Sequence, residues 1–142
     1  MSTATLEHSA QAQSTLKAAF DRYHIGWETQ DAARIASLHS ADSVFLLHDG
    51  SPAVVGRENI RRHVEGLFAR YPGLAFEPNH RTLFGQNRWV FDYTMVLGSA
   101  GKTVQVPMVD VVDINDEGEV TRKEVFLDPA QAQAALASAG LA

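Results

Sequence analysis

The spacing of large apolar side chains predicts three helices in the first half of the chain. Between residues 9 and 30 such side chains recur every three or four positions, which is the spacing of one helix face. These positions are Leu16, Phe20, Tyr23 and Trp27. After a polar break, a second, short helix is predicted through Ala33–Leu38. A third helix, through Ile60–Phe68, should stop before Tyr71, since the residue that precedes Pro72 avoids helical angles.

The first predicted strand is Ser43–His48, a short run of strand-forming residues. From Leu74 to Leu127 similar runs alternate with tight turns, each with glycine where positive φ is favoured. The runs span 89–97, 102–114 and 119–127, and the turns lie at 85–88, 98–101 and 115–118. Asp128 then caps a closing helix that has Pro129 at its first position and ends before Gly140.

This order of elements predicts an α+β fold. Helices that are segregated along the chain from a run of strands favour a mainly antiparallel sheet over a parallel βαβ arrangement. We expect a curved sheet, wrapped by three helices from the first half and one C-terminal helix, around one pocket. No internal repeat or linker divides the chain, so residues 1–142 form one predicted domain, with residues 1–8 as a flexible start.

Composition and charge narrow the classes of partner. The 142 residues carry a formal net charge of −5, which argues against nucleic acid, because phosphate binding needs a surplus of Lys and Arg. The chain has no cysteine, which excludes disulfides and thiolate chemistry. It lacks a signal-peptide pattern at its start and any apolar run of about 20 residues. We therefore expect a soluble, cytoplasmic protein without a membrane partner.

Three segments carry a resemblance to a known family. They are Thr29–Val44, Val55–Ile60 and Val109–Val120, and they resemble the second helix with its acidic turn, the entry to the third helix and the last hairpin of nuclear-transport-factor-2-like proteins. That superfamily includes ketosteroid isomerases and SnoaL-like polyketide cyclases. The resemblance implies a cone-shaped sheet whose open end accepts a small apolar ligand, although one fold of this kind hosts many chemistries.

Ketosteroid isomerases have two hydrogen-bond donors in their active sites. The resemblance implies that the corresponding residues here are Tyr23 and Asp110. In those enzymes a tyrosine and a neutral aspartic acid stabilise a developing oxyanion. Asp110 is also unusual on physical grounds, because it lies in a strand that is otherwise mostly apolar, where an unpaired carboxylate is costly. The alternatives are that Asp110 pairs with an arginine or faces solvent, and that Tyr23 belongs to the core.

The isomerase resemblance fails at the general base. The matching position is Leu47, which cannot transfer a proton, whereas the next residue is His48. A one-residue bulge in this strand would turn His48 inward, where a histidine suits acid–base chemistry. The alternative is a half-exposed histidine at the strand end. Steroid isomerisation itself is therefore doubtful. The epoxide hydrolases of the superfamily are no better match, because their catalytic acids and arginine correspond here to Thr94, Val96 and Val125.

Alternation along the strand 89–97 predicts its inner face. Phe91, Tyr93 and Met95 form the more apolar set and should face the pocket, with Asp92 on the convex face unless the register slips by one residue. The predicted substrate-binding side chains are Trp27, Phe20, Phe91, Tyr93 and Met108.

The sequence thus favours a small-molecule enzyme that acts on an apolar carbonyl or cyclic substrate by proton transfer, of the isomerase or cyclase type. Asp110 and Tyr23 would hold the oxygen, and His48 would move the proton. The alternatives are a non-catalytic binding protein for an apolar metabolite and a homodimeric assembly module. We expect a homodimer formed through the sheet. No cofactor or metal is expected, because the chain shows no phosphate-binding loop and its histidines lack ligand spacing.

Overall fold

The computed structural model describes the backbone of residues 3–141 and the side chains of residues 14–141. Within these residues the chain forms four helices and seven strands. In chain order they are α1 (Thr3–Glu28), α2 (Ala32–Ser37), β1 (His39–Leu47), β2 (Val54–Val55), α3 (Arg57–Arg70), β3 (Ala75–Phe76), β4 (Arg81–Phe84), β5 (Arg88–Ser99), β6 (Lys102–Ile114), β7 (Val120–Phe126) and α4 (Pro129–Ser138).

The observed elements confirm the predicted fold class. The sheet is curved and open, with its main path in the order β2-β1-β7-β6-β5-β3, and β4 pairs β5 beside β3. All neighbouring strands are antiparallel except β1 and β7, which are parallel. The last strand of the chain therefore lies between the first long strand and the β5–β6 hairpin. Strands β1 and β7, which are far apart in the sequence, are therefore neighbours in the sheet.

Several boundaries differ from the prediction, including the start of β1, which lies at His39 rather than at Ser43. Helix α1 begins at Thr3, so the backbone of residues 3–8 is helical, whereas residues 1 and 2 of the expected flexible start lie outside the described residues. The turn between β5 and β6 is shorter than expected, because only Ala100 and Gly101 lie outside the strands. Both have positive φ, 54° and 79°, as a two-residue turn of the mirror-image type requires.

Helix ends follow the sequence signals. The Asp128 carboxylate accepts a hydrogen bond from the Gln131 amide at the start of α4, and Pro129 occupies the first turn. Helix α3 ends at Arg70, before Tyr71 and Pro72 as predicted.

The core lies between the helices and the concave face of the sheet. Buried residues of α1, including Leu16, Tyr23 and Trp27, face buried residues of β5, including Phe91 and Tyr93. In β5 the expected alternation is confirmed: Asp92 lies on the opposite face, where it pairs with Arg81. Among the described residues, no helix combines the length and apolar character that crossing a membrane would need.

Two helical glycines allow a matched test of how closely α1 and α2 pack. A Cβ on Gly26 would lie 2.8 Å from Cγ1 of buried Ile35, whereas a Cβ on Gly66 of α3 would meet no atom within 4 Å. Both substitutions to alanine gain helix propensity, worth about 0.5–1 kcal/mol. We therefore expect Gly66→Ala to raise the free energy of unfolding in urea by that amount. Gly26→Ala should lower it by about 1–3 kcal/mol through overpacking. Equal stabilisation by both would contradict this packing.

Candidate active site

A cavity of about 360 Å³ lies between the concave face of the sheet and the helices. Its wall is formed by side chains from α1, α3 and α4 and from β1, β3, β5, β6 and β7, and most of these side chains are apolar. Exposed residues such as Asp49, Arg70 and Gln133 also line it, so the cavity reaches solvent on that side. A cavity of this size fits a small organic molecule.

A buried ion pair forms part of this wall. Lys123 Nζ on β7 lies 3.4 Å from Asp110 Oδ2 on β6, and both residues line the cavity. Asp110 is 2% exposed and Lys123 is 3% exposed. Both charges are therefore removed from bulk water, where an unpaired charge would be strongly unfavourable.

The other Asp110 oxygen accepts a hydrogen bond from Tyr93. The Tyr93 hydroxyl lies 2.9 Å from Asp110 Oδ1, and its ring stacks on Phe91 at 4.5 Å between centroids. Burial, the Asp110 charge and this hydrogen bond raise the pKa of Tyr93 well above its usual value, so the phenol keeps its proton and donates. The Asp110 carboxyl is thereby fixed in orientation from two sides.

Three aromatic rings surround the Lys123 ammonium. Nζ lies 4.3 Å from the Trp27 ring centroid, 5.0 Å from that of Tyr23 and 5.1 Å from that of Phe45. Cation–π attraction is strongest for desolvated cations, so these rings offset part of the lost hydration. Lys123 Nζ also lies 3.4 Å from the Tyr23 hydroxyl.

The ionisation of the pair reflects burial and mutual attraction. Burial raises the pKa of Asp110, the direction that its apolar strand predicted, while Lys123 and the Tyr93 hydroxyl act in the opposite direction. For Lys123, burial alone would lower the pKa, but the Asp110 charge and Tyr23 outweigh it and raise the pKa. Lys123 is therefore an ammonium at neutral pH, a fixed positive charge rather than a free amine.

Of the predicted substrate-binding residues, Trp27, Tyr93 and Met108 line the cavity. Phe20 and Phe91 lie outside the set of described cavity-lining residues, in an aromatic cluster behind the wall, with their ring centroids 5.4 Å apart. Tyr23 also lies behind the wall: its hydroxyl is 2.9 Å from His39 Nε2 and reaches Asp110 only through Lys123.

The structure does not bring His48 to the cavity. The irregularity in β1 falls between His39 and Val44, before the position where a bulge would have turned His48 inward. Leu47 therefore keeps the inward direction and lines the cavity opposite Val125. On the other face, His48 Nε2 lies 3.2 Å from Glu124 Oε1, and its ring stacks on Phe126 at 4.0 Å.

Lys123 is a residue of the site that was not predicted from the sequence. A signal was present, because Val125 points inward and strand residues two positions apart share a face. That alternation places Lys123 inside and Arg122 and Glu124 outside, as the burial of β7 confirms. The partner of Asp110 is therefore a lysine two positions from a pocket valine, rather than an arginine.

Comparison with known proteins gives the family. The sequence profile of the SnoaL-like domain matches residues 20–123. Among curated proteins, none matches the chain by sequence.

Three solved structures illustrate how widely the same fold occurs at low sequence identity. TerC, co-crystallised with polyporic acid, is 18% identical with a TM-score of 0.75, over 87% of this chain and 98% of TerC. A phenazine biosynthesis-related protein from Pseudomonas aeruginosa is 17% identical with a TM-score of 0.78, over 93% and 91%. A protein of ketosteroid isomerase-like fold from Catenulispora acidiphila, in complex with trimethylamine, is 17% identical with a TM-score of 0.73, over 87% and 93%. At these identities the likeness establishes the fold alone.

The buried Asp110–Lys123 pair predicts that the stability losses of the two single substitutions will not add in the double variant. Asp110→Asn leaves the Lys123 ammonium unpaired, and Lys123→Met leaves the carboxylate unpaired, so each should lower the free energy of unfolding by about 3–5 kcal/mol. The double variant removes both charges and should lose much less than the sum. Urea unfolding of the four proteins measures this cycle. The exposed pair Arg88–Asp113 is the control, and its corresponding cycle should be close to additive. Additive losses at 110 and 123 would contradict the pairing.

Two buried histidines predict loss of stability in acid. Burial lowers the pKa of both His24 and His39 to about 3. Between pH 6.5 and 3 the unfolded chain therefore binds protons that the folded chain excludes, so stability falls as the pH falls. The slope is at most about 1.4 kcal/mol per pH unit for each histidine. His39→Gln should flatten the decline in unfolding free energy between pH 7 and pH 5. An unchanged slope in that variant would mean that His39 is protonated in the folded state.

Proposed function

We propose that this chain, which belongs to the SnoaL-like domain family, is an enzyme that transfers a proton within an apolar cyclic compound bearing a carbonyl group. The observation that carries the proposal is the Asp110–Lys123 pair in the wall of a largely apolar cavity of about 360 Å³. Such a cavity admits a ring system, and the pair supplies its buried charge.

The proposed reaction begins with Asp110 as the base rather than as the oxyanion donor that the resemblance implies, because both of its oxygens face hydrogen-bond donors, Tyr93 and Lys123. Its carboxylate takes a proton from the carbon next to the substrate carbonyl, and the electrons of that C–H bond pass to the carbonyl oxygen as an enolate. The Lys123 ammonium stabilises the negative oxygen, which is favourable because it is already charged and desolvated. In a substrate with a β,γ double bond, the protonated Asp110 then gives the proton to the γ carbon, which shifts the double bond and completes an isomerisation. In a substrate with a second carbonyl, the enolate carbon instead attacks that carbonyl and closes a ring, and the protonated Asp110 gives its proton to the new alkoxide oxygen.

The other residues of the site have supporting roles in this proposal. Tyr93 orients the Asp110 carboxyl through its 2.9 Å hydrogen bond. Trp27 and Met108 contact the apolar body of the substrate from the cavity wall. His48 has no part, since it lies on the opposite face of β1.

The solved structures of similar fold support an organic ligand of small size. One was co-crystallised with polyporic acid and another was solved in complex with trimethylamine. Polyporic acid is therefore a reasonable first compound for binding measurements with this protein.

A non-catalytic binding protein is the second candidate, and one observation favours it. Both oxygens of Asp110 already have partners inside the protein, Tyr93 and Lys123, as in a purely structural network. The cavity itself weighs against a third candidate, an assembly module whose cone is filled by side chains, because about 300 Å³ is enough for a ligand. The expected homodimer through the outer face of the sheet stays a prediction.

Exchange of protons for deuterons tests the chemistry without the natural substrate. We expect the wild-type protein to accelerate loss of the α-proton signals of 2-tetralone, a bicyclic ketone, in deuterated buffer, followed by proton NMR. The double variant Asp110→Asn/Lys123→Met, which keeps the cavity without the pair, should lose at least about a hundredfold in rate, the usual contribution of a positioned base.

A second double variant provides the matched control. Arg88→Gln/Asp113→Asn removes an exposed pair from the outer face and should exchange 2-tetralone as the wild type does. If 2-tetralone or polyporic acid raises the melting temperature of the wild-type protein but exchange stays at the buffer rate, the protein binds without catalysing and the enzyme proposal is wrong.

A further inference from the structure

Lys123 stands at one end of a continuous chain of buried hydrogen bonds. Its Nζ lies 3.4 Å from the Tyr23 hydroxyl, which lies 2.9 Å from His39 Nε2. The other ring nitrogen, His39 Nδ1, lies 2.9 Å from Ser43 Oγ. Tyr23 is 1% exposed, and His39 and Ser43 are 0% exposed. The chain therefore leads from the cavity wall into the core, away from solvent.

The direction of each bond follows from the chemistry of the groups. An ammonium only donates, so the Tyr23 oxygen accepts from Lys123. Among the described residues, His39 Nε2 is the hydrogen-bond partner of Tyr23 that can accept, so we assign the Tyr23 O–H as donor to it. A neutral imidazole has one donor and one acceptor nitrogen, so His39 carries its proton on Nδ1 and donates to Ser43. The low pKa of His39, about 3 through burial, agrees with a neutral ring.

The backbone carbonyl of His39 is held by a residue that is not part of this row of hydrogen bonds. Arg57 Nε donates to the His39 carbonyl at 2.9 Å, and the same guanidinium pairs with Glu119 at 3.1 Å. His39 begins β1 and Ser43 lies within its irregular stretch, which runs between His39 and Val44, and both side chains are buried. The acceptor of the Tyr23 proton is thus fixed by α3, β1 and the turn before β7.

We propose that Tyr23 and His39 are positioning residues, which hold the Lys123 ammonium beside Asp110 at the cavity wall through a directed hydrogen-bond chain. The inference deepens the proposed function, because a lysine has a long flexible stem and stabilises an enolate only where it is held. Tyr23 and His39 do not touch the substrate. They act on the reaction through Lys123 alone, and Tyr23 thereby differs from the oxyanion donor that the isomerase resemblance implies.

The tautomer of His39 is the first test, and it needs no substrate. Nitrogen-15 NMR of the wild-type protein should find the proton on Nδ1 and an unprotonated Nε2 that accepts a hydrogen bond. In Tyr23→Phe the Nε2 resonance should move to the position of a nitrogen without a donor. A proton on Nε2 in the wild type would reverse the chain at its centre and overturn the proposal.

The position of Lys123 is the second test. With lysine labelled at Cε, Tyr23→Phe and His39→Leu should each shift the Lys123 resonance and lower the pH at which it titrates. The first variant removes the oxygen that accepts from the ammonium, and the second removes the group that orients this oxygen. His39→Gln, whose Oε1 replaces Nε2 as acceptor, should stay near the wild type. His48→Gln on the outer face is the control and should change nothing. An unaltered Lys123 in both Tyr23→Phe and His39→Leu would overturn the inference.

Kinetic measurements connect the position of Lys123 with the rate of proton transfer. With 2-tetralone, Tyr23→Phe should lower kcat about ten- to a hundredfold, the cost of a displaced catalytic group, while KM stays within about threefold. His39→Gln should recover most of kcat relative to His39→Leu. A variant that loses kcat without any change at Lys123 would contradict positioning. Absence of exchange in the wild type would instead refute the proposed function, and the NMR results would still decide the role of the chain.

Discussion

Burying a carboxylate and an ammonium together constrains the rest of this structure. Asp110 and Lys123 lie on adjacent strands at 3.4 Å, and the charge of each would be strongly unfavourable at its position without the other. Neighbouring side chains stabilise both charges: Tyr93 donates to the carboxylate, and three aromatic rings surround the ammonium. Replacing a buried ion pair by well-packed apolar residues is often neutral or stabilising, so an ion pair at a cavity wall is a candidate for a chemical role.

The parallel pairing of β1 with β7 assembles the site. It places β7 between β1 and the β5–β6 hairpin, so Lys123 reaches Asp110 on one side and the Tyr23–His39 chain on the other. The same pairing sets Leu47 and Val125 side by side on the cavity wall and turns His48 outward. One strand thus carries the partner of Asp110, the contact with Tyr23 and part of the apolar wall.

The fold by itself leaves the chemistry open. SnoaL-like and ketosteroid isomerase-like proteins share this curved sheet at identities below a fifth, so a likeness of shape carries no mechanism. In this chain the position that resembles the isomerase acid holds Asp110, the position that resembles the base holds Leu47, and a lysine faces the acid. Proton transfer is therefore proposed from the residues of the cavity wall and not from the fold.

Local patterns in the sequence determined the elements and much of the interior. Helical spacing gave the buried face of α1, Asp128 with Pro129 gave the start of α4, and alternation gave the inner face of β5 with Asp92 outside. Asp110 was identifiable as a buried acid because its neighbours are apolar. Only the tertiary structure supplied its partner and the outward direction of His48. Both depend on which strands pair and where β1 is irregular, and these long-range contacts leave no periodic trace in either strand alone.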